Sequence, residues 1–249
     1  MNLEGENILV TGASRGIGKS IAIHLLEANA HVGIHYNKGA TEATKIKAKY
    51  SLSETFQADL SQMDEVKILF KNAVDHFGSI DTIVLNAGVF VPHLIEDSTE
   101  QWLDIWRQTM AINLDATGLL TKMGLEHFKK QGGGRFVYIG SRAAFRGETE
   151  EYLAYAASKG GLTSLARTVA RSFGRYNIKS FVIAPGFTRT EMAEDAILKF
   201  GEEKILGEMA LKKLTTPEDI APLAVLMCSG KMDHATGSTI DINAGSYIR

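Results

Sequence analysis

The sequence predicts a single α/β domain, a doubly wound parallel sheet with helices on both faces, and three observations carry that reading. The chain opens with a short β-branched run, a glycine-rich turn and a helix-length segment, in that order. Short apolar runs then alternate with helix-length segments through the 249 residues, as strands crossed over by helices do. No Pro-rich, Ser-rich or single-sign charged linker interrupts the alternation, so 1–249 reads as one domain.

The first strand, 8–10, stops at Thr11-Gly12-Ala13-Ser14-Arg15-Gly16-Ile17-Gly18, and a helix follows over 19–28. Glycines let the backbone turn sharply and approach a pyrophosphate, and a helix N-terminus offers it free N–H groups. Gly12, Ser14, Arg15, Gly16, Ile17 and Gly18 are therefore candidate dinucleotide contacts, although the spacing departs from G-x-G-x-x-G. The second strand, 31–36, ends at Tyr36-Asn37-Lys38, where NAD sites commonly place an acid for the adenosine 2′-hydroxyl. None stands there. Lys38 and Arg15 suit a 2′-phosphate instead, which favours NADPH. His31 and His35, spaced by two on this strand, read as packing or surface residues rather than metal ligands.

A helix over 41–49, a strand over 55–58 ending at Asp59-Leu60, a helix over 64–77 and a strand over 81–85 ending at Asn86-Ala87-Gly88 come next. Ligands bind at the carboxyl ends of such strands, so Asp59, Leu60, Asn86, Ala87 and Gly88 are candidate cofactor contacts. A long helix over 99–128 carries Trp102, Trp106, Met110 and Asn113 on one face. Both tryptophans read as core; Asn113 is either structural or part of a proton path. Gly132-Gly133-Gly134 turns into a strand over 135–140, which delivers Ser141.

Tyr155 precedes Lys159 by four residues, and on a helix such residues lie one above the other. Opposite charges at roughly 4 Å and an effective dielectric near 20 interact by about 4 kcal/mol, about three pKa units, less what burial takes back. Lys159 is thus expected to lower the Tyr155 pKa and fit it for general acid–base work. The segment 187–214, with Glu191, Met192, Phe200 and Met209, is either a lid over substrate or a packed helix pair. A helix from Thr216 to Cys228 and an edge strand over 239–242 complete the chain.

Composition narrows the function. With 22% charged and 45% hydrophobic residues and a net charge of −2, nothing calls for nucleic acid as a partner. The lone Cys228 suits a reducing compartment. No apolar run reaches membrane-spanning length and the first seven residues hold two acids, so a cytoplasmic protein without membrane association is expected.

Thr11-Gly12-x-x-x-Gly16-Ile17-Gly18, Asp59, Asn86-Ala87-Gly88, Asn113, Ser141, Tyr155-x-x-x-Lys159, Pro185-Gly186 and Thr236-Gly237 occur together and in order. Jointly they resemble the short-chain dehydrogenase/reductases, a single-domain Rossmann-like family, across essentially the whole chain. Within it the chain is most similar to the 3-oxoacyl-[acyl-carrier-protein] reductases. The resemblance implies that Tyr155 passes a proton to a carbonyl oxygen as hydride arrives from NADPH, and that Ser141 hydrogen-bonds that oxygen. It further implies that Lys159 lowers the tyrosine pKa and holds the nicotinamide ribose, and that Asn113 supports a water-linked proton relay. Pro185, Gly186, Thr188 and Thr190 would face the carboxamide, and no metal is needed.

The implied reaction is reversible reduction of a ketone, first a 3-oxoacyl thioester, possibly presented on acyl carrier protein, by a homotetramer. The same catalytic residues would serve a sugar, polyol or keto-acid dehydrogenase, and the fold could also serve a non-catalytic nucleotide sensor. The sequence departs from the family at Leu85 and Phe181, each in place of an asparagine, and by one extra residue between Ser141 and Tyr155, in the acidic loop 148–151. The basic residues that dock the carrier protein are not clearly matched; Lys129, Lys130 and Arg175 are nearby. Arg142 and Arg146 follow the serine, and Phe90, Val91 and His93 follow the cofactor loop. If both arginines line the pocket, the substrate is anionic.

Overall fold

In the computed structural model, which describes residues 1–191, 193, 197 and 201–249, seven strands form one parallel sheet in the order β3-β2-β1-β4-β5-β6-β7. The strands are β1 (Asn7–Val10), β2 (His31–Tyr36), β3 (Ser53–Gln57), β4 (Thr82–Leu85), β5 (Gly134–Ile139), β6 (Ile178–Pro185) and β7 (Thr239–Ile242). Among the described residues, the helices between them include α1 (Gly16–Glu27), α2 (Ala40–Lys49), α3 (Met63–Phe77), α4 (Thr99–Met110), α5 (Ala116–Gln131), α6 (Ala143–Arg146), α7 (Leu153–Phe173), α8 (Glu202–Gly207) and α9 (Pro217–Cys228). Strand order reverses between β1 and β4, the switch point at which ligands bind outside the carboxyl ends of such sheets.

Period-two alternation divides the core. Ile8, Val10, Val84, Val137 and Ile183 face one layer with Ile21 and Leu25 of α1 and Ile220 and Ala224 of α9. Leu9, Ile83, Phe136 and Val182 face the other with Leu69 of α3, Leu120 of α5 and Leu162 of α7. Burying each large apolar side chain stabilises the fold by about 1.5–3 kcal/mol before the entropy of ordering is counted. Both faces are covered, which explains why the strands read as continuous apolar runs.

The single helix expected over 99–128 is broken. Residues Ala111–Asp115 form a π-helical turn between α4 and α5, and Asn113 lies fully buried within it. The tryptophans expected in the core are only half-buried. Trp102 and Trp106 stack on each other at 5.1 Å, and Trp102 stacks on the buried His93 at 5.0 Å. α1 begins at Gly16 rather than at 19. Met192 and Phe200, singled out in the sequence, lie outside the described residues, whereas Met209 packs with Ile205 and Leu214 in a small separate cluster. Among the described residues no helix is long and apolar enough to cross a membrane.

Candidate active site

The glycine-rich turn is held from three sides. The Thr11 hydroxyl accepts the amides of Asn86 and Ala87 at 2.9 and 3.0 Å. The Asn86 side chain donates to the carbonyls of Thr11 and Gly12 at 2.9 and 3.1 Å. Its amide, expected to contact cofactor, is therefore committed to tying β4 to the turn. Backbone passes so close here that a Cβ on Gly18 would lie 2.3 Å from the Gly12 carbonyl oxygen, and Gly16 has φ +52°. The first-turn amides of α1 carry no side-chain cap.

The third support is His35. It is buried, its Nδ1 accepts the Gly12 amide at 2.9 Å, and its Nε2 donates to the Ala58 carbonyl at 3.1 Å. Accepting at Nδ1 requires the neutral ring, and burial lowers its pKa from 6.5 to about 4. Between those values the unfolded chain binds more protons, so stability is complete above pH 6.5 and falls as pH drops toward 4, by about 3 kcal/mol in full. His35→Phe is expected to remove this acid-side slope from thermal unfolding curves and to weaken dinucleotide binding; an unaltered slope would refute the assignment.

Beyond β2, Tyr36 is half-buried while Asn37 and Lys38 are exposed. Asp59 accepts the Ser61 amide at 2.9 Å, and its own amide donates to Glu65 at 2.6 Å. Hydrogen bonds from Ser61, with Asn37 and the charge of Lys38 adding, hold its carboxyl below the usual range. Asp59, Asn37 and Lys38 thus gather at the neighbouring ends of β2 and β3, beside the buried Leu60. Arg15, expected to face a phosphate, instead pairs with Glu191 at 3.1 Å, both side chains being largely exposed, a contact worth little.

Ser141, Tyr155 and Lys159 come together at the ends of β5 and α7. The Ser141 side chain faces the Tyr155 hydroxyl and opposes the rise of its pKa, and its Oγ accepts the Ala143 amide at 3.1 Å. Lys159 is buried, donates to the Ile139 carbonyl at 2.8 Å and lies 5.8 Å from the Tyr155 ring centre. A Cβ on Gly88 would lie 3.2 Å from Asn113 Oδ1 and 3.5 Å from Lys159 Nζ, so both flank this one glycine. Asn113 accepts the Val89 amide at 2.8 Å and donates to the Val89 carbonyl and the Ser158 hydroxyl. Its amide fixes the loop after β4, which accounts for its burial in the π turn.

The expected lowering of the Tyr155 pKa is reversed. Burial of its hydroxyl pushes it up to about 12, opposed by the Ser141 side chain and reinforced by the charge of Glu148. Burial likewise draws Lys159 down to about 8. Desolvation outweighs the attraction that the i,i+4 spacing promised. Phe90 packs edge-on against Tyr155 at 4.7 Å and stacks flat on Tyr152 at 3.7 Å. His93 accepts the Ala154 amide at the start of α7.

At the end of β6, a Cβ on Gly186 would meet Asn243 Cβ at 2.6 Å, so the chain leaves Pro185 in close contact with the C-terminal loop. Thr188 bonds the Gly186 carbonyl, and the Thr190 methyl lies 3.4 Å from where a Cβ on Gly16 would stand. Thr190 therefore borders the glycine turn. Ile17 is half-buried beside it, and Ser14 is buried against Gly39. Sequence reasoning missed the supporting roles of His35, Thr11 and Phe90 and the electrostatic reach of Glu148. A polar residue facing inward on β2 was the one available signal.

Residues 12–246 match the family described as Enoyl-(Acyl carrier protein) reductase. The 3-oxoacyl-[acyl-carrier-protein] reductase FabG of Staphylococcus epidermidis is 33% identical over 247 residues, 98% of this chain and 99% of that protein. A short chain dehydrogenase from Burkholderia cenocepacia, solved in complex with NADP, superposes with TM-score 0.89 at 29% identity, covering 99% of each chain. A 7 alpha-hydroxysteroid dehydrogenase, complexed with NADH and 7-oxo glycochenodeoxycholic acid, gives TM-score 0.91 at 28% identity over 98% of this chain and 95% of that one. The chain belongs to the short-chain dehydrogenase/reductase family, oxidoreductases that interconvert keto and CH–OH groups.

Proposed function

We propose that the protein reduces a ketone to a secondary alcohol with NADPH, reversibly, and that a 3-oxoacyl thioester is its first substrate class. The single observation that carries this reading is the cluster of Ser141, Tyr155 and Lys159 beside the glycine-rich turn at the sheet's switch point. The residues present fit a dinucleotide: the Gly12–Gly18 approach leaves no space for a side chain, and the α1 amides are uncapped. Gly12, Ser14, Gly16, Ile17 and Gly18 would hold its diphosphate, Tyr36, Asp59 and Leu60 its adenosine, and Ala87, Gly88, Lys159 and 185–190 its nicotinamide half. When bound, this group supplies the hydride. Tyr155 supplies the proton to the ketone oxygen, Ser141 orients that oxygen, and Asn113 and Lys159 fix the geometry from either side of Gly88.

Identity to FabG supports the thioester class. The buried Arg142 supports a second reading, a keto acid. The 187–214 segment would act as the lid, and a homotetramer would form through the long helices and the C-terminal region that carries β7. Initial rates with acetoacetyl thioesters, keto acids and sugars, each with NADPH and NADH, test the proposal. NADPH is expected to be preferred, and Lys38→Glu to reduce that preference roughly tenfold or more by placing an acid opposite the 2′-phosphate. Equal rates with both coenzymes in the unaltered protein would remove the NADPH assignment.

A further inference from the structure

Arg142 follows Ser141 directly and is 6% exposed. A guanidinium stays charged and carries five donors in a planar fork. The charges that act on it are Arg146, which repels it, and Glu148 and Glu208, which attract it. Neither carboxylate closes on the fork. Glu148 is taken by Arg146 at 3.3 Å. Glu208, in the stretch after α8, comes only to 3.7 Å from Nη2, beyond hydrogen-bond range, with 58% of its side chain exposed.

Arg142 Nη1 is buried with no hydrogen-bond partner among the described residues. Burying a charge with open donors is costly unless a partner comes to it. An arginine serving only to tie down the stretch after α8 would be expected to grip the Glu208 carboxylate in a two-point pair. The position also matters: Arg142 adjoins Ser141 in the chain, and its amide donates to the Pro185 carbonyl at 3.1 Å, so its backbone stands between the Ser141 hydroxyl and the end of β6.

We propose that Arg142 is the anion receptor of the substrate site: the ketone carries a carboxylate, which Arg142 binds through its open fork while Glu208 yields its place. This rests on Ser141, Tyr155 and Lys159 being the ketone-reducing group. A keto acid, an oxidised sugar acid and a 3-oxoacyl thioester whose chain ends in a carboxylate share the required chemistry.

The test compares NADPH oxidation with straight-chain keto acids, carboxyl-ended 3-oxoacyl thioesters and the methyl ester of each. Acids are expected to exceed their esters in kcat/KM by roughly 10- to 100-fold, mostly through KM, and Arg142→Gln to bring that ratio to about one. The arm that carries the preference identifies the source of the carboxylate. No acid preference in the unaltered protein, or the same preference in the variant, overturns the proposal. Glu208→Gln removes the internal competitor and is expected to lower KM for acids only. A loss for acids and esters alike would mark a structural tie and overturn the idea.

Failure of ketone reduction itself is read separately in a Tyr155→Phe background, by thermal shift with the same acids and esters. Stabilisation by acids alone, lost on adding Arg142→Gln, supports the anion site independently of turnover. Its absence overturns it.

Discussion

Tyr155→Phe is expected to lower turnover by roughly 100- to 10,000-fold, the range a positioned proton donor supplies, while leaving NADPH binding largely intact. The reason lies in the local packing. A phenylalanine ring keeps the edge-on contact with Phe90 and removes only the hydroxyl that meets Ser141. With burial pushing its pKa up to about 12, Tyr155 holds its proton at neutral pH. That is the form reduction needs, because the nascent alkoxide must be protonated. Steady-state kcat, measured beside a fluorescence titration with NADPH, separates chemistry from binding. Unchanged kcat in a protein that still binds NADPH would end the acid assignment.

Much of the fold was legible because strand and helix periods are local properties. β2 occupies 31–36 as its β-branched run between turns predicts, and β7 is the edge strand expected. The break at Ala111–Asp115 was not legible, since nothing nearby in sequence encodes it. The Asn113 amide bonds Val89, 24 residues away, and the helix widens around that contact. His35 illustrates the same limit: its spacing from His31 reads correctly as packing, but its role depends on Gly12, 23 residues distant. The catalytic spacing Tyr155-x-x-x-Lys159 was legible and the direction of its electrostatics was not. Charge separation along a helix is written in the sequence, whereas desolvation is set by every element that closes over the pair.

Lys159 offers the second large effect, because its charge is expensive. Burial draws its pKa from 10.5 to about 8, which means that holding it as an ammonium at neutral pH costs the fold about 3 kcal/mol. The unfolded chain binds more protons between those values, so stability rises as pH climbs from about 8 toward 10.5, and the cost is fully present below 8. Lys159→Met keeps the length of the side chain and deletes the charge, at the loss of one hydrogen bond to the Ile139 carbonyl. Thermal unfolding at neutral pH is therefore expected to show a variant no less stable than the unaltered protein, while turnover falls by roughly 100- to 1,000-fold, as when a preorganised charge is removed from a reacting site. Turnover of the unaltered protein should depend on the same charge in the opposite sense to stability, with ketone reduction constant below about 8 and declining above it as Lys159 loses its proton. Tyr155, protonated to about 12, contributes nothing to that decline. A flat profile through pH 8, or a Lys159→Met enzyme of ordinary kcat, would show that the ammonium is not used in the reaction and leave its burial without a chemical return.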